Sequence, residues 1–528
     1  MRPDVKEVLQ WLKVEPPTVD ETKACEGLKP GEFEIYSEKV NNYLAEAREI
    51  FIRMGVTSML RSGDNVVGYY NANGDAVYIS CGTMLHAISA ILPLKYIIKN
   101  WVNEPTVGVR DGDIFYCNEA LYGGVHNPDQ YCYMPVFNDG ELIGWTASGV
   151  HEPETGGAEP GGMILSAKSR HDEGMKLPPI KVGENFQLRA DLIEMCNNFI
   201  SRAPRMQELD MRARATACDR LRMRLKDVAK EKGNDFVSGL FRKFLNVTED
   251  GISYRIRTWN DGIYRAVVFR DNCGLEESLL RIFITMRKEG DHLNIDLNGT
   301  SPEHGAGSIL AFPWAAIGHG LVTMFGYLFH DLPPNSGAFT PIEWNVPEGS
   351  IYWPGPEAPV SDSPLACWPL IGLVQHCYAK MIFDSPDKQL VVAGTAGDTG
   401  ELIAGVNQHG VPIADLMQYC LSAIGQGARS DRDGTDAFIF AGMYGGTRFQ
   451  DIEEIEDEFH VLHLYGDHRK DSCGFGKYRG GSGLTTAYVV HHVPWGVYCN
   501  ISASSRLSHM SGLFGGYPPT VKIGVEIR

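Results

Sequence analysis

Two histidines and an aspartate have a spacing that suits a metal site. His126 and Asp129 are three residues apart, in a turn that Pro128 stiffens, so both side chains can reach one ion. His151 stands at the end of a predicted strand that returns the chain to the same place. Two imidazoles and one carboxylate leave positions open for a substrate, and such ligands suit Mn, Fe or Zn better than Ca or Mg. The pattern predicts a metal site, although buried structural histidines beside a simple turn remain the alternative.

Carboxylates and a second polar cluster accompany these residues. Glu152 and Glu154 follow His151 closely, and we predict that they orient the histidines. The run 168–176 carries mixed charges, which favour either an anion site for phosphate or bicarbonate or a solvated loop with internal ion pairs. The candidate catalytic residues are Glu119, Glu152 and His171.

Three other segments have compositions that could suit phosphate binding or subunit contacts. The glycine-rich runs 394–400 and 474–483 would let backbone N–H groups approach a phosphate, but neither has the pattern of a P-loop. Seven arginines between 202 and 224 form a basic stretch in an acidic chain. We interpret this stretch as a subunit contact or a salt-bridged face, because a net charge of −18 disfavours nucleic acid and anionic membranes.

A hairpin is the element that must position the metal ligands. We predict its strands over 131–137 and 142–149, joined by an Asn-Asp-Gly turn at 138–140. The periodicity of apolar residues predicts helices elsewhere, over 35–59, 84–102, 188–230 with a break at Pro204, 307–328, 364–382 and 411–425. Further strands are predicted over 66–70, 76–80, 114–118, 252–259, 263–270, 279–287 and 292–297.

The composition is that of a large globular protein. The chain has 528 residues, of which 43% are hydrophobic and 22% charged, with 58 glycines and 29 prolines spread along it. Its 12 cysteines lack C-x-x-C spacing, its first residues form no apolar leader, and no run is long enough for a membrane span. We therefore expect reduced thiols and a cytoplasmic location. The predicted regions are an arm (1–35), a metal-site region (36–185), helices and antiparallel strands (186–300) and a Gly/Pro-rich remainder (301–528).

Four long motifs resemble the hydantoinase B/oxoprolinase family. They are G-D-I-F-Y-C-N-E-A-L-Y-G-G-V-H-N-P-D-Q (112–130), H-E-P-E-T-G-G-A-E-P-G-G-M (151–163), S-R-H-D-E-G-M-K (169–176) and G-F-G-K-Y-R-G-G-S-G (474–483). Hydantoinase-type members usually read N-D-P-Y-x-G-G-T-H, whereas this chain has Glu119-Ala120 at the second and third positions. That variant resembles the ketone carboxylase branch of the family, of acetone or acetophenone type. The subunit of the acetone type extends considerably further than Arg528, and the shorter length of this chain mildly favours the other branch.

The resemblance implies a fold, a reaction and partners. The fold is α+β, with mixed, predominantly antiparallel sheets in a barrel-like arrangement and polyproline-II-like segments. The implied function is the metal-bearing subunit of an ATP-dependent, biotin-independent carboxylase that joins an activated ketone enolate and activated bicarbonate into a 3-oxo acid. A hydantoinase A-like subunit would bind ATP, a small accessory subunit would complete the complex, and His126, Asp129 and His151 would hold the metal, with Mn preferred over Zn or Fe. The alternatives are an ATP-dependent amidohydrolase that opens cyclic amides, and a non-catalytic structural subunit.

Overall fold

A computed structural model describes most of the chain. The described residues are 3–82, 85–200, 202–271, 278–303, 307–395, 399–417, 424–438, 450–494, 496–502, 506–508 and 510–526. They form an α+β fold with four β-sheets in these ranges, in which strand neighbours are antiparallel except for one parallel pair. The predicted fold class is therefore confirmed. None of the described sheets closes into a barrel, so the barrel-like arrangement is not confirmed, and the polyproline-II-like segments stay a prediction.

The helices and strands have the following bounds. The helices are α1 (Val5–Gln10), α2 (Val19–Glu26), α3 (Glu32–Met54), α4 (Ser58–Ser62), α5 (Leu85–Ser89), α6 (Ile91–Trp101), α7 (Ala190–Phe199), α8 (Pro204–Lys232), α9 (Asn234–Arg257), α10 (Pro313–Thr323), α11 (Ser363–Ile382) and α12 (Ile452–Glu458). The strands are β1 (Asn65–Tyr70), β2 (Ala76–Cys81), β3 (Ile114–Cys117), β4 (Asp129–Asn138), β5 (Glu141–His151), β6 (Ile180–Glu184), β7 (Gln187–Leu188), β8 (Gly262–Arg270), β9 (Leu280–Glu289), β10 (His292–Asp296), β11 (Ile342–Asn345), β12 (Thr399–Val406), β13 (Pro412–Leu416), β14 (Val461–His468), β15 (Leu484–Val490) and β16 (Val497–Ser502).

A seven-stranded antiparallel sheet carries the candidate site. Its strand order is β2-β1-β5-β4-β3-β6-β7, so the β4–β5 hairpin lies between β1 and β3, inside the sheet. The other sheets are β11-β10-β9-β8, β13-β12-β16 and β14-β15. The interior position of β4 and β5 explains why nearly every residue of both strands is buried.

The β4–β5 hairpin has the predicted position and is longer than predicted. Asp139 and Gly140 adopt positive φ angles of 50° and 83°, which a tight hairpin turn requires. The ladder runs from Asn138 opposite Glu141 to Asp129 opposite His151. The register therefore places two of the predicted metal ligands directly across from each other.

Long helices cover one face of the sheet. Helix α8 begins at Pro204, as predicted from the proline, and buries Leu221, Leu225 and Val228. Helix α3 buries Val40, Leu44, Ala47 and Phe51 at helical spacing. It ends at Met54 rather than near residue 59, because Thr57 accepts a hydrogen bond from the N–H of Leu60 and starts the new helix α4.

Two secondary-structure predictions are wrong. The pattern predicts a strand over 252–259, but 252–257 end helix α9, where Ile252 and Ile256 share one buried face. It predicts a helix over 411–425, but 412–416 form strand β13, which pairs with β12. Residues 418–423 of that segment lie outside the described residues. In both segments tertiary packing decides between two conformations that short apolar patterns do not distinguish.

Three further observations concern the predicted N-terminal arm, the cysteines and membrane-spanning helices. Residues 1–35 contain α1 and α2, and Val8 and Leu12 belong to a buried cluster of the same chain. Nine described cysteines are reduced thiols and form no disulfide bond. No helix in the described part of the chain combines the length and the apolar composition of a membrane-spanning helix.

Candidate metal centre

His126, Asp129 and His151 converge at one end of the seven-stranded sheet. His126 Nε2 lies 3.0 Å from His151 Nδ1 and 3.4 Å from Asp129 Oδ1, and His151 Nδ1 lies 3.6 Å from the same oxygen. All three side chains are buried. One ligand atom from each residue lies within 4.8 Å of the others, which is compact enough for one ion to contact all three.

A backbone carbonyl orients His126. Its Nδ1–H donates to the carbonyl oxygen of Ser361 at 2.6 Å, which leaves the Nε2 lone pair facing Asp129 and His151. Ser361 is held in turn by Glu173, whose Oε1 accepts the N–H of Ser361 at 2.6 Å and also the N–H of Val360. A buried carboxyl group therefore fixes the segment that selects the His126 tautomer.

A further histidine stands on the other side of Asp129. His86 Nδ1 lies 3.9 Å from Asp129 Oδ2 and 3.0 Å from the Tyr131 hydroxyl, while His86 Nε2 lies 3.1 Å from Asp64 Oδ1. All of these groups are buried. Asp64 and Asp129 thus flank the His86 ring, and Asp129 has imidazoles on both sides.

The charges of the site favour an ionised Asp129 and a neutral His151. Burial alone would raise the pKa of Asp129, but His86 and His126 lower it well below its ordinary value. Burial is also the main reason why the pKa of His151 is lowered. For His126 burial acts in the same direction, but Asp129 raises the pKa above its ordinary value. An ionised aspartate beside a neutral His151 is the state in which these groups coordinate cations.

The residues present fit a divalent cation. Asp129 Oδ2 is buried and has no hydrogen-bond partner among the described residues, so its charge is incompletely compensated. His126 Nε2 and His151 Nδ1 lie 3.0 Å apart, so one proton can join them, and without that proton both nitrogens offer lone pairs to an ion. His126, Asp129 and His151 would hold such a cation, whose charge would compensate Asp129, and nitrogen and carboxylate donors suit Mn, Fe or Zn.

The predicted glutamates lie beside this centre but contact arginines. The buried Glu152 carboxylate contacts Arg214, and Glu154 Oε2 lies 3.3 Å from Arg202 Nη1. Burial would lower the pKa of Arg214, but Glu152 outweighs this effect and raises it. Among the described residues neither glutamate is a hydrogen-bond partner of His126 or His151, and the contact that orients His126 comes from Ser361.

The other two candidate catalytic residues have different surroundings. Glu119 is buried, and its Oε2 accepts from Arg170 Nη2 at 2.6 Å. His171 is exposed, with Nε2 3.2 Å from Glu357 Oε2. In the 168–176 run, Asp172 Oδ2 accepts the N–H groups of Lys168 and Ser169. The run therefore has internal bonds, but it also presents Arg170 to Glu119.

Sequence reasoning missed the residues that support the ligands. His86, Ser361 and Glu173 come from separate segments, and Ser361 is 235 residues from His126. Of these three, only Glu173 lies in one of the polar motifs. The seven arginines all pair with acidic residues of the same chain, as a salt-bridged face predicts. Residues 396–398 of the glycine-rich run 394–400 lie outside the described residues.

Comparisons with known proteins give the same family as the motifs. A model of the hydantoinase B/oxoprolinase family matches residues 29–525. The acetophenone carboxylase delta subunit of Aromatoleum aromaticum is 41% identical over 528 residues, which cover 100% of this chain and 76% of that protein. The acetone carboxylase alpha subunit of Xanthobacter autotrophicus is 26% identical over 502 residues, which cover 90% of this chain and 63% of that protein.

A solved structure extends the comparison to the fold. The nucleotide-free structure of acetone carboxylase, described for ATP-dependent acetone carboxylation, matches with a TM-score of 0.86 at 25% identity. The match covers 93% of this chain and 66% of that chain, so this chain spans slightly less than two thirds of it. These relatives are subunits of enzymes. With the family model matching nearly the whole sequence, the chain belongs to the hydantoinase B/oxoprolinase family.

Proposed function

We propose that this chain is the metal-bearing catalytic subunit of an ATP-dependent ketone carboxylase. The substrates are a ketone of acetone or acetophenone type and bicarbonate, and the product is a 3-oxo acid. The observation that carries the proposal is the convergence of His126, Asp129 and His151 in a chain 41% identical to an acetophenone carboxylase subunit. The bound metal is Mn, with Zn or Fe as the alternatives.

The chain's own residues orient His126 and keep Asp129 ionised. Ser361 fixes the His126 tautomer, and the flanking histidines keep Asp129 ionised. Burial of all three ligands excludes bulk water and strengthens electrostatic interactions at the site. When bound, a divalent cation supplies Lewis-acid stabilisation of negative charge on a substrate oxygen.

Partners supply the remaining chemistry in this proposal. A hydantoinase A-like subunit binds ATP and phosphorylates the ketone, bicarbonate or both, and a small accessory subunit completes the complex. The absence of a P-loop pattern from the whole sequence supports the assignment of ATP to another subunit. The names of the two similar carboxylase proteins, each a subunit, also support a multi-subunit enzyme.

The test follows ATP hydrolysis and the incorporation of labelled bicarbonate side by side in the purified complex. With a suitable ketone, we expect both reactions to depend on bicarbonate. An Asp129→Asn complex should keep some substrate-dependent ATP hydrolysis, while 3-oxo acid formation falls by about 10²–10³-fold because charge stabilisation is lost.

The family also includes amidohydrolases, which give the contrary result. An amidohydrolase consumes ATP with a lactam or hydantoin, opens the ring and shows no dependence on bicarbonate. If no ketone in an aliphatic and aromatic panel incorporates label, and a cyclic amide is opened instead, the carboxylase assignment is wrong.

A further inference from the structure

A buried ion pair joins two motifs that are 51 residues apart. Arg170 Nη2 donates to Glu119 Oε2 at 2.6 Å, and only 12% of the Arg170 side chain and 5% of the Glu119 side chain are exposed. Glu119 comes from the polar run that precedes His126, and Arg170 comes from the 168–176 run. The fold therefore unites two runs that are separate candidates in the sequence.

The Arg170 guanidinium has N–H donors that no described residue accepts. Its Nε and Nη1 are both buried, and neither has a hydrogen-bond partner among the described residues. Unpaired guanidinium N–H groups away from solvent are costly, so an acceptor such as a water molecule or an anion is expected beside them. The Arg170–Glu119 pair is therefore an incomplete site, with donor groups on one member and a carboxylate on the other.

The chemistry of the pair matches a small planar oxyanion that also carries a hydroxyl group. Guanidinium N–H groups bind the oxygens of carboxylate-like anions, preferably two at a time. A carboxylate repels most anions, but it accepts a hydrogen bond from an O–H. Bicarbonate has both kinds of group, whereas chloride has neither. We propose that Arg170 and Glu119 form a binding site for bicarbonate, and this inference rests on the proposed carboxylase function.

The backbone around the pair connects it to the metal centre. Ala120, which follows Glu119, donates its N–H to Asn127 Oδ1 at 3.1 Å, and Asn127 is the neighbour of His126. Asn118, which precedes Glu119, donates its side-chain N–H to the Asn127 carbonyl at 2.8 Å. Both hydrogen bonds close the same turn, so Glu119 and the metal ligand His126 belong to one hydrogen-bonded segment.

The experiment measures bicarbonate binding to the purified complex without ATP or ketone. Calorimetric titrations use sodium bicarbonate at constant pH and ionic strength, with sodium chloride and inorganic phosphate as separate titrants. The main variant is E119Q/R170Q, which removes both charges and avoids the unpaired buried glutamate that R170Q alone would leave. The control is R189Q, since Arg189 forms an exposed pair with Asp191.

We expect one saturable bicarbonate site for each copy of this chain in the wild type and in R189Q. In E119Q/R170Q the affinity of that site should fall about tenfold to a hundredfold, while the metal content stays unchanged. The bicarbonate KM of carboxylation should rise by a similar factor, with little change in the ketone KM.

Two results would overturn the site. One is bicarbonate binding that is absent from the wild type or unaffected in E119Q/R170Q, which would mean that the pair holds only water. The other is phosphate binding that is lost in E119Q/R170Q and with which bicarbonate does not compete. The titration contains no ATP or ketone, so failure of the carboxylation assay would not change the measured bicarbonate binding. Each of the two proposals can therefore be rejected without the other.

Discussion

The orientation of His126 depends on a chain of hydrogen bonds that ends at the buried carboxyl group of Glu173. Glu173 accepts the N–H groups of Val360 and Ser361, and the Ser361 carbonyl then receives the Nδ1–H of His126. Burial raises the pKa of Glu173 to about 8, so this side chain is largely protonated at neutral pH. A neutral carboxyl group can still accept both backbone N–H groups through its carbonyl oxygen.

The raised pKa predicts a pH dependence of stability. A folded pKa of about 8 against an ordinary 4.5 means that the folded chain binds more protons between these values. The contribution of Glu173 is fully present below pH 4.5 and is lost as the pH rises through 8, at up to about 1.4 kcal/mol per pH unit. In Glu173→Gln this loss should disappear, and the free energy of unfolding, followed from about pH 5.5 to about pH 8.5, measures it.

The comparison between the wild type and Glu173→Gln isolates this one carboxyl group, because other titrating groups are common to both proteins. The amide oxygen of the introduced glutamine can accept the same two backbone N–H groups, so the variant should also retain its metal. Parallel stability curves for the two proteins would show that Glu173 has no raised pKa in the folded chain.

Arg214 of helix α8 contacts both of the strand ends that carry Asp129 and His151, and we call this set of contacts the Arg214 clamp. Arg214 is buried and contacts Glu152, the residue after His151, while its Nη2 donates to Gln130 Oε1 at 2.9 Å. Gln130 is the residue after Asp129 in β4. Since a one-residue slip of either strand would turn its ligand to the opposite face of the sheet, contacts that fix the register protect the site.

Removing this clamp should affect both stability and metal affinity. Arg214→Gln leaves Glu152 buried without its partner, which we expect to cost about 3–5 kcal/mol in the free energy of unfolding. Metal affinity should fall by about 10–100-fold as the strand ends loosen. Chemical denaturation and metal titration measure the two effects.

The matched control lies on the same helix. Arg212 forms an exposed i,i+4 pair with Glu208, so Arg212→Gln should change stability by less than about 1 kcal/mol. The double variant Glu152→Gln/Arg214→Gln should be more stable than Arg214→Gln, because no unpaired charge remains. Equal losses in the free energy of unfolding for Arg212→Gln and Arg214→Gln would contradict the proposed role of Arg214.

Local patterns predict the hairpin and the triad, whereas the supporting contacts could not be predicted. An Asn-Asp-Gly turn between two alternating strands fixes where β4 and β5 meet, and the register then brings Asp129 to His151. Ser361 and His86 have ordinary sequence surroundings, and only the packing of distant segments places them at the site. The strand prediction for residues 252–257 is wrong because an apolar run of that length fits a strand as well as a helix.

At the scale of the whole molecule, the proposed reaction is divided between subunits. In this proposal the chain supplies the metal ligands, and we expect it to hydrolyse no ATP when purified alone, because its sequence lacks a P-loop pattern. Addition of the ATP-binding partner and a ketone should restore hydrolysis. Steady ATP turnover by the isolated chain, free of partner subunits, would contradict this division.

The most direct test of the central claim is the metal content of the purified complex, measured by mass spectrometry on the wild type and three variants. We predict about one divalent ion per copy of this chain in the wild type, as expected for a single three-ligand site. His126→Ala and Asp129→Asn should lose that ion while the complex stays assembled. His292→Ala should keep it, since His292 is exposed and pairs with Asp291. Full metal content in His126→Ala would contradict the assignment of His126, Asp129 and His151 as the metal site.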